Sequence, residues 1–162
     1  TPAALARDLG DRAVAAGVRT VLDPFTGAGG NAIGFAAAGC EVLGYELHPG
    51  RAADAQHNAR RHGVAERLTV FAGDGLAAAA EAEADLLFLD PPWGGYDHLR
   101  TDIADVPLLA TALEHGPRYR HVWCKLPPSF DPSELPDYAP EAVFGRGPGD
   151  RHRVKFVLLV RR

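Results

Sequence analysis

Apolar residues recur along the chain in short stretches that alternate between helical and strand-like spacing. Residues 2–16 place leucine and alanine at helical spacing and predict a helix that ends near Gly17. Residues 20–23 form a short apolar run, which indicates a buried strand. A glycine-rich turn at 27–30 leads into an alanine-rich stretch at 31–38 that predicts the next helix. Strand, turn and helix together make a first βα unit.

The same alternation continues through most of the chain. Further strands are predicted at 41–46, 68–73, 85–90 and 121–126, and further helices at 50–62, near 76–82 and at 104–114. The apolar run at 85–90 is bounded by prolines and glycines, as is typical of a central parallel strand. A proline-rich stretch at 127–140 follows the fifth strand. Strands that alternate with short helices predict a mostly parallel sheet with helices on both faces.

The last two predicted strands are connected differently from the others. Residues 142–146 and 154–160 are separated only by the glycine-rich segment 147–153. A parallel connection needs a crossover of about a dozen residues or more, so this pair must form an antiparallel hairpin. The sequence therefore predicts a doubly wound, Rossmann-like α/β fold. Its mostly parallel seven-stranded sheet ends in a C-terminal antiparallel hairpin.

Composition narrows the class of protein. The 162 residues are 46% hydrophobic and 23% charged, which predicts one domain over 1–162, with a helix at 1–19 and a core at 20–162. No apolar run approaches the ~20 residues of a membrane-spanning helix. Cys40 and Cys124 lack metal-like spacing, so we predict buried free thiols, no metal site and a reducing, cytoplasmic location. The net charge of −4 restricts any nucleic-acid contact to a local patch.

Candidate binding residues follow three of the predicted strands, at the sheet edge where open α/β folds bind ligands. After the first strand, LDPFTGAGGN at 22–31 combines turn-forming glycines with a helix start for which Asn31 is the predicted N-cap. Glu46 ends the second strand, where a carboxylate can accept ribose hydroxyls, and Asp74 follows the third. Taken singly, the glycine-rich loop could also be a structural turn. Glu46 and Asp74 could likewise be solvated acids at strand ends.

The sequence LDPPWGG at 89–95 is the most distinctive of these motifs. Its prolines prevent the loop from becoming helical. Asp90 and nearby carbonyl groups can accept hydrogen bonds from an exocyclic amine, and Trp93 offers a flat face on which a base can stack. Gly94 and Gly95 leave room beside the indole. The alternative is an Asp-Pro turn that carries a core tryptophan.

The motifs DPPWGG and DPFTGAGGNAIGFA resemble those of the RNA cap guanine-N2 methyltransferase family, over residues 20–130. The resemblance implies a class I methyltransferase fold, S-adenosyl-L-methionine as cofactor, and methyl transfer to an exocyclic amine, foremost guanine N2 in RNA. By this resemblance the cofactor would be bound by Asp23, Phe25, Gly27, Gly29, Asn31, Glu46, Asp74 and Asp90. Asp90, Pro91 and Trp93 would face the guanine, and hydrogen bonds to Asp90 and the Pro91 carbonyl would orient its amine for in-line attack.

Three alternatives remain open at this stage. A methyltransferase of glutamine side chains also uses a Pro-Pro-aromatic loop, although that loop usually opens with Asn where this chain has Asp90. A non-catalytic module of the same fold would bind the cofactor without transferring a methyl group. A nicotinamide oxidoreductase would also use a glycine-rich loop, but it has no use for the terminal hairpin or for DPPW.

Basic residues form two clusters in the sequence. The first contains Arg51, Arg60, Arg61 and Arg67, and we interpret it as a solvated helix face. The second contains Arg146, Arg151, Arg153, Lys155, Arg161 and Arg162, and we predict a local RNA phosphate contact there. Tyr96, Asp97 and His98 follow the DPPW loop and are predicted to gate it. We expect a monomer without a membrane partner.

Overall fold

A computed structural model describes residues 1–93 and 100–162 of the chain. Its elements are α1 (Ala3–Ala15), β1 (Thr20–Asp23), α2 (Gly30–Ala38), β2 (Glu41–Glu46), α3 (Pro49–Arg61), β3 (Leu68–Ala72), α4 (Gly75–Glu81), β4 (Leu86–Leu89), α5 (Leu109–Glu114), β5 (His121–Leu126), β6 (Tyr138–Phe144) and β7 (Val154–Arg161). Short 3-10 turns lie at Ile103–Asp105, Gly116–Arg118 and Pro132–Glu134.

All seven strands belong to one sheet, in the order β3-β2-β1-β4-β5-β7-β6. The strands β1 to β5 are parallel, whereas β7 inserts antiparallel between β5 and β6. The predicted doubly wound fold and its terminal hairpin are therefore confirmed. Strand order reverses at β1 and β4, so the loops after these two strands separate there and leave a crevice for a ligand.

Two apolar layers enclose the sheet, one on each face. The helices α1, α2 and α3 supply the first layer, and α4 and α5 supply the second. Every residue of β4 is fully buried, as predicted for a central parallel strand, and Phe88 packs edge-on against Phe35 with ring centroids 4.9 Å apart. Cys40 and Cys124 are buried free thiols, as predicted.

Two predicted element boundaries are wrong. The helix predicted at 104–114 begins at Leu109, because Pro107 precedes Leu108, whose left-handed φ of 68° interrupts the chain before α5. The strand predicted at 142–146 runs instead over Tyr138–Phe144, through part of the proline-rich stretch. Pro140 is tolerated in β6 because this strand lies at the edge of the sheet.

Within residues 1–93 and 100–162, no helix is both long and apolar enough to span a membrane. The same residues contain no group of three or more His, Cys, Asp or Glu side chains arranged to hold a metal ion.

Candidate active site

The loop between β1 and α2, residues 24–29, is closed by hydrogen bonds of Thr26. Its backbone N–H donates to the carbonyl of Tyr45 at 2.9 Å, and its hydroxyl donates to the carbonyl of Asp23 at 2.9 Å. The N–H of Gly29 in turn donates to the Thr26 carbonyl at 2.9 Å. These bonds hold the loop against the end of β2. The carboxyl ends of β1 and β2 therefore form one continuous surface.

Asn31 does not occupy the position predicted for it. The N-cap of α2 is Gly29, whose φ of 93° is accessible mainly to glycine, and Asn31 lies in the first turn of the helix. Its amide nitrogen Nδ2 donates instead to Oδ2 of Asp90 at 2.7 Å. The N-cap prediction is therefore wrong, because the left-handed turn starts the helix earlier and directs the Asn31 side chain across the sheet toward β4.

Glu46 connects the end of β2 to two neighbouring segments. It is 6% exposed; its Oε2 accepts the Gly27 N–H at 3.1 Å, and its Oε1 accepts the His48 N–H at 2.8 Å. Arg51, in the first turn of α3, donates from Nη2 to the same Oε1 at 2.7 Å. The four arginines of the first basic cluster are exposed as predicted. The contact of Arg51 with Glu46 was missed.

Asp74 lies at the third strand end and caps the following helix. Its Oδ1 accepts the backbone N–H groups of Leu76 at 2.8 Å and of Ala77 at 3.4 Å, which starts α4. Both bonds use one oxygen of an exposed carboxylate. The side chain can therefore serve as a helix cap and still accept a hydrogen bond from a ligand.

A cavity of about 460 Å³ opens where these strand ends meet, and we call it the cofactor cavity. Five of the residues predicted to bind the cofactor line it: Phe25, Gly27, Glu46, Asp74 and Asp90. Leu47 and Leu108 also line it and are 73% and 49% exposed, a high exposure for large apolar side chains. Acceptors for hydroxyl groups together with exposed apolar side chains fit a nucleoside, with the leucines placed to cover its base.

Asp23 lies at the end of β1 and is fully buried. Its Oδ1 accepts the Phe25 N–H at 3.1 Å, while Oδ2 has no hydrogen-bond partner within the part of the chain that the structure describes. Burial and, to a lesser extent, the neighbouring Asp90 carboxylate raise the pKa of Asp23 to about 7. An ammonium group would satisfy Oδ2, and S-adenosylmethionine carries one on its methionine portion. Asp23 does not itself line the cofactor cavity, but its buried acceptor, together with the Glu46 and Asp74 carboxylates that do, fits this cofactor.

Asp90 follows β4 and is held by two side chains from other elements. Its Oδ2 accepts hydrogen bonds from Nδ2 of Asn31 and from Nζ of Lys125, each at 2.7 Å. Lys125 lies on β5 and is only 5% exposed, so this is a buried ion pair. In the described part of the chain, Oδ1 of Asp90 receives no hydrogen bond. Lys125 was not predicted as a site residue, although a lysine inside the apolar run HVWCKL is itself a signal.

Trp93 is partly buried and packs against one of the two core layers, so the alternative of a core tryptophan is correct in part. Its indole N–H donates to the Lys125 carbonyl at 3.2 Å, and Nζ of Lys125 lies 4.4 Å from the ring centroid. Trp93 lines a second cavity of about 480 Å³ together with Asp90, Pro91 and Lys125. Asp90 and Pro92 line both cavities, so the two cavities adjoin at the DPPW loop.

The second basic cluster is divided among several contacts. Arg146 pairs with Asp8 at 2.6 Å, Lys155 pairs with Asp150 at 2.7 Å, and Arg161 donates to the Gly116 carbonyl at 2.7 Å. Arg151, Arg153 and Arg162 are exposed. An RNA phosphate contact there stays a prediction. Gly94, Gly95, Tyr96, Asp97 and His98, the last three predicted to gate the loop, lie outside the described residues.

Strand order, terminal hairpin and a nucleoside-sized cavity at the strand ends define a class I methyltransferase domain. Residues 18–114 match the sequence profile of a family described as RNA cap guanine-N2 methyltransferase. The chain belongs to this family. Membership confirms the resemblance seen in the sequence and supports S-adenosylmethionine as the cofactor.

Individual relatives agree with this assignment. The trimethylguanosine synthases of Schizosaccharomyces pombe and Saccharomyces cerevisiae are 38% identical over 81 residues and 32% identical over 91 residues, which cover 46% and 53% of this chain. The matched regions span only 34% and 29% of these two enzymes, about a third of their length. The fold matches a Bacillus cereus O-methyltransferase solved in complex with SAH, with a TM-score of 0.66 and 17% identity, covering 100% of this chain and 82% of that one.

Proposed function

We propose that the chain transfers the methyl group of S-adenosylmethionine to the exocyclic N2 amine of guanine in RNA. The observation that carries the proposal is the position of Asp90, which lines both the cofactor cavity and the cavity that holds Trp93. An acceptor at this junction can hold an amine beside a methyl donor. The family description and the names of the two yeast relatives support guanine N2 as that amine.

The main chemical difficulty is that the lone pair of guanine N2 is delocalised into the ring. When bound, S-adenosylmethionine supplies an electrophilic methyl group on its sulfonium. Asp90 contributes an acceptor whose orientation is already set, because Asn31 and Lys125 both hold Oδ2 at 2.7 Å and leave Oδ1 for the amine. An N–H bond directed to Oδ1 turns the nitrogen lone pair out of the ring and toward the methyl group, so positioning supplies much of the catalysis.

The same carboxylate also provides for the proton that the amine must lose. The amine becomes acidic only as the new bond forms, so Asp90 can accept the proton late in the reaction or pass it to water. Trp93 supplies a flat side chain in the second cavity against which a base can rest. Asp90 lines both cavities and Trp93 lines the second, which supports these two roles.

The test uses S-adenosylmethionine with a labelled methyl group and separate pools of capped RNA, tRNA and unmodified rRNA. After digestion, mass spectrometry identifies the labelled nucleosides. We expect label in N2-methylguanosine from one pool, and a loss of at least about 100-fold in rate for Asp90→Asn, whose amide replaces the charged acceptor. Asp54→Asn, on the exposed side of α3, is the matched control and should keep the wild-type rate.

Other outcomes would contradict the proposal in distinguishable ways. Label in N6-methyladenosine would retain the amine chemistry but change the base. Label in a glutamine side chain of added protein would indicate a protein substrate. Cofactor binding by calorimetry without label in any pool would indicate a non-catalytic binding module.

A further inference from the structure

Lys125 is one of only two lysines among the 17 lysine and arginine residues of the chain. It lies on β5, is 5% exposed and lines the second cavity. Burial of an ammonium group is costly unless the group is paired, and Lys125 pairs with Asp90. The charge of this ion pair is balanced, so the contribution of Lys125 to the site must come from its geometry.

Lys125 contacts two side chains of the DPPW loop at once. Its Nζ lies 2.7 Å from Oδ2 of Asp90 and 4.4 Å from the ring centroid of Trp93. Its carbonyl also accepts the indole N–H of Trp93 at 3.2 Å. Phe156, on β7, packs near the same ammonium, with its ring centroid 5.2 Å from Nζ. One residue of β5 therefore holds both the carboxylate and the indole.

The loop itself does not orient these two side chains. Two prolines restrict the backbone between Asp90 and Trp93, but side-chain torsions choose among several staggered wells unless neighbouring groups hold them. Asn31 holds Asp90 alone. Among the hydrogen bonds and cation–π contacts of the described residues, those of Lys125 alone reach both side chains.

We infer that Lys125 is a positioning residue, which fixes the carboxylate of Asp90 and the ring of Trp93 relative to each other. The inference rests on the proposed function and deepens it. A guanine that stacks on the indole then presents its amine to the carboxylate without further adjustment of either side chain. Such alignment governs the chemical step more than binding, because a base can still stack when the carboxylate has moved away.

The arrangement requires an ammonium and not merely a positive charge. An ammonium is compact and lies close to both the carboxylate and the ring, whereas a guanidinium is planar and larger. Lys125→Arg keeps an ionic partner for Asp90 but brings a wider group to the position beside Trp93. We expect kcat to fall at least about tenfold in Lys125→Arg as well as in Lys125→Ala.

The first measurement separates catalysis from binding in Lys125→Ala. While kcat falls, KM for RNA should change less than about threefold. Cofactor affinity by calorimetry should change less than about twofold, because Lys125 is not among the described residues that line the cofactor cavity. Arg60→Ala removes one positive charge from the exposed part of α3, outside both cavities, and should keep the wild-type values.

Chemical rescue with propylamine tests the ammonium directly. Lys125→Ala removes a chain of three carbons and an ammonium, the size of propylammonium, and the second cavity gives small molecules access to this position. Propylamine at millimolar concentration should raise kcat of Lys125→Ala at least about fivefold. Propan-1-ol has the same length without the charge and should not do so. The wild-type protein with each additive controls for general effects.

The part of the inference that concerns Trp93 is tested by a double-mutant cycle with Trp93→Ala. Losses from independent residues multiply, whereas residues that act as a unit lose less together than the product. Removal of Lys125 should therefore reduce kcat/KM at least about threefold less in Trp93→Ala than in the wild-type protein. Losses that multiply would overturn the link between Lys125 and Trp93.

Folding is checked first by thermal melting, because loss of a buried ion-pair partner can unfold a protein. If Lys125→Ala does not fold, Lys125→Arg provides the kinetic comparison, since it keeps the charge. A folded Lys125 variant with wild-type kcat overturns the inference and leaves the proposed function standing. Equal rescue by propylamine and propan-1-ol also overturns it. Absence of N2-methylguanosine from every RNA in the wild-type protein, with cofactor bound, refutes the proposed function and the inference together.

Discussion

The two cavities that meet at Asp90 use charge in different ways. In the cofactor cavity the carboxylates of Glu46 and Asp74 accept backbone N–H groups, and Asp23, at the end of β1, keeps one buried oxygen without a partner in the described residues. In the second cavity the Asp90 carboxylate is paired with a buried lysine. The cofactor cavity is lined by three carboxylates and one arginine, Arg51, whereas the second cavity is lined by one carboxylate, Asp90, and two lysines.

This difference bears on how the two ligands are kept apart. S-adenosylmethionine carries an ammonium and a sulfonium, and both charges favour the cofactor cavity, where three carboxylates outnumber one arginine. Lys125 and Trp93 lie on the other side of Asp90, in the second cavity. Asp90 lies between the two cavities. Substitutions on its two sides should therefore affect cofactor affinity and the rate of substrate methylation to different extents.

The largest effect is expected from Asp23→Asn, which removes the fully buried carboxylate at the end of β1. Without the carboxylate, the cofactor ammonium loses its ionic partner, and affinity measured by calorimetry should fall about 100-fold or more. The unliganded protein should instead become more stable at pH 8, by roughly 2–4 kcal/mol, because a fully buried charge is removed. Asp54→Asn is the control and should change neither quantity. An Asp23→Asn protein that binds the cofactor normally would refute the assigned contact.

The pH dependence of the wild-type protein follows from the same residue. The pKa of Asp23 is raised to about 7 in the folded protein, so the folded state holds a proton that the unfolded state releases near pH 4. Stability of the unliganded protein should therefore fall as pH rises from 4 to 7 through this group. Cofactor affinity should rise by roughly an order of magnitude between pH 6 and 7.5, because the ionised carboxylate binds the ammonium. Asp23→Asn should abolish this rise.

A smaller effect is expected from Asn31→Ala, which tests whether Asn31 orients Asp90 or binds the cofactor. In the structure Asn31 orients Asp90, although the sequence placed it among the cofactor-binding residues. We expect kcat to fall about tenfold, through the loss of one orienting hydrogen bond, while cofactor affinity changes less than about twofold. Asn58→Ala is the matched control, because Asn58 donates to the Ala28 carbonyl of the same loop at 3.0 Å. A large loss of cofactor affinity in Asn31→Ala would restore the sequence-based assignment.

The cofactor cavity was predictable because its residues are encoded locally. Glu46 and Asp74 directly follow strands, and a glycine turn before a helix marks the first loop, so neighbouring residues carry the signal. The pair of Asp90 and Lys125 depends on the register of β4 and β5, in which Leu89 lies beside Cys124 and brings together residues 35 positions apart. No local sequence pattern indicates that register. Asn31 was misplaced because Asn is both a frequent cap and a side-chain donor.

Leu108→Gly is expected to produce moderate and opposite effects on stability and binding. Leu108 has a φ of 68°, an unfavourable conformation for a bulky residue, and its side chain lines the cofactor cavity while 49% exposed. Glycine relieves the backbone strain, so the free energy of unfolding should rise by about 1 kcal/mol. Loss of the apolar contact should weaken cofactor affinity about fivefold. Leu108→Ala keeps the strain and should weaken binding without the gain in stability. Equal affinity in all three proteins would show that Leu108 does not contact the cofactor.

The smallest effect is expected from Arg51→Ala, because this arginine competes for an oxygen assigned to the ligand. Arg51 donates to Oε1 of Glu46 at 2.7 Å, and its side chain is 61% exposed, so the ion pair is weak. If the cofactor ribose must displace this arginine, its removal should raise affinity, by at most about fivefold, and the gain should diminish at high salt. Arg60→Ala, on the exposed part of the same helix, controls for the loss of one positive charge. A fall in affinity for Arg51→Ala alone would mean that Arg51, which lines the cofactor cavity, binds the cofactor itself.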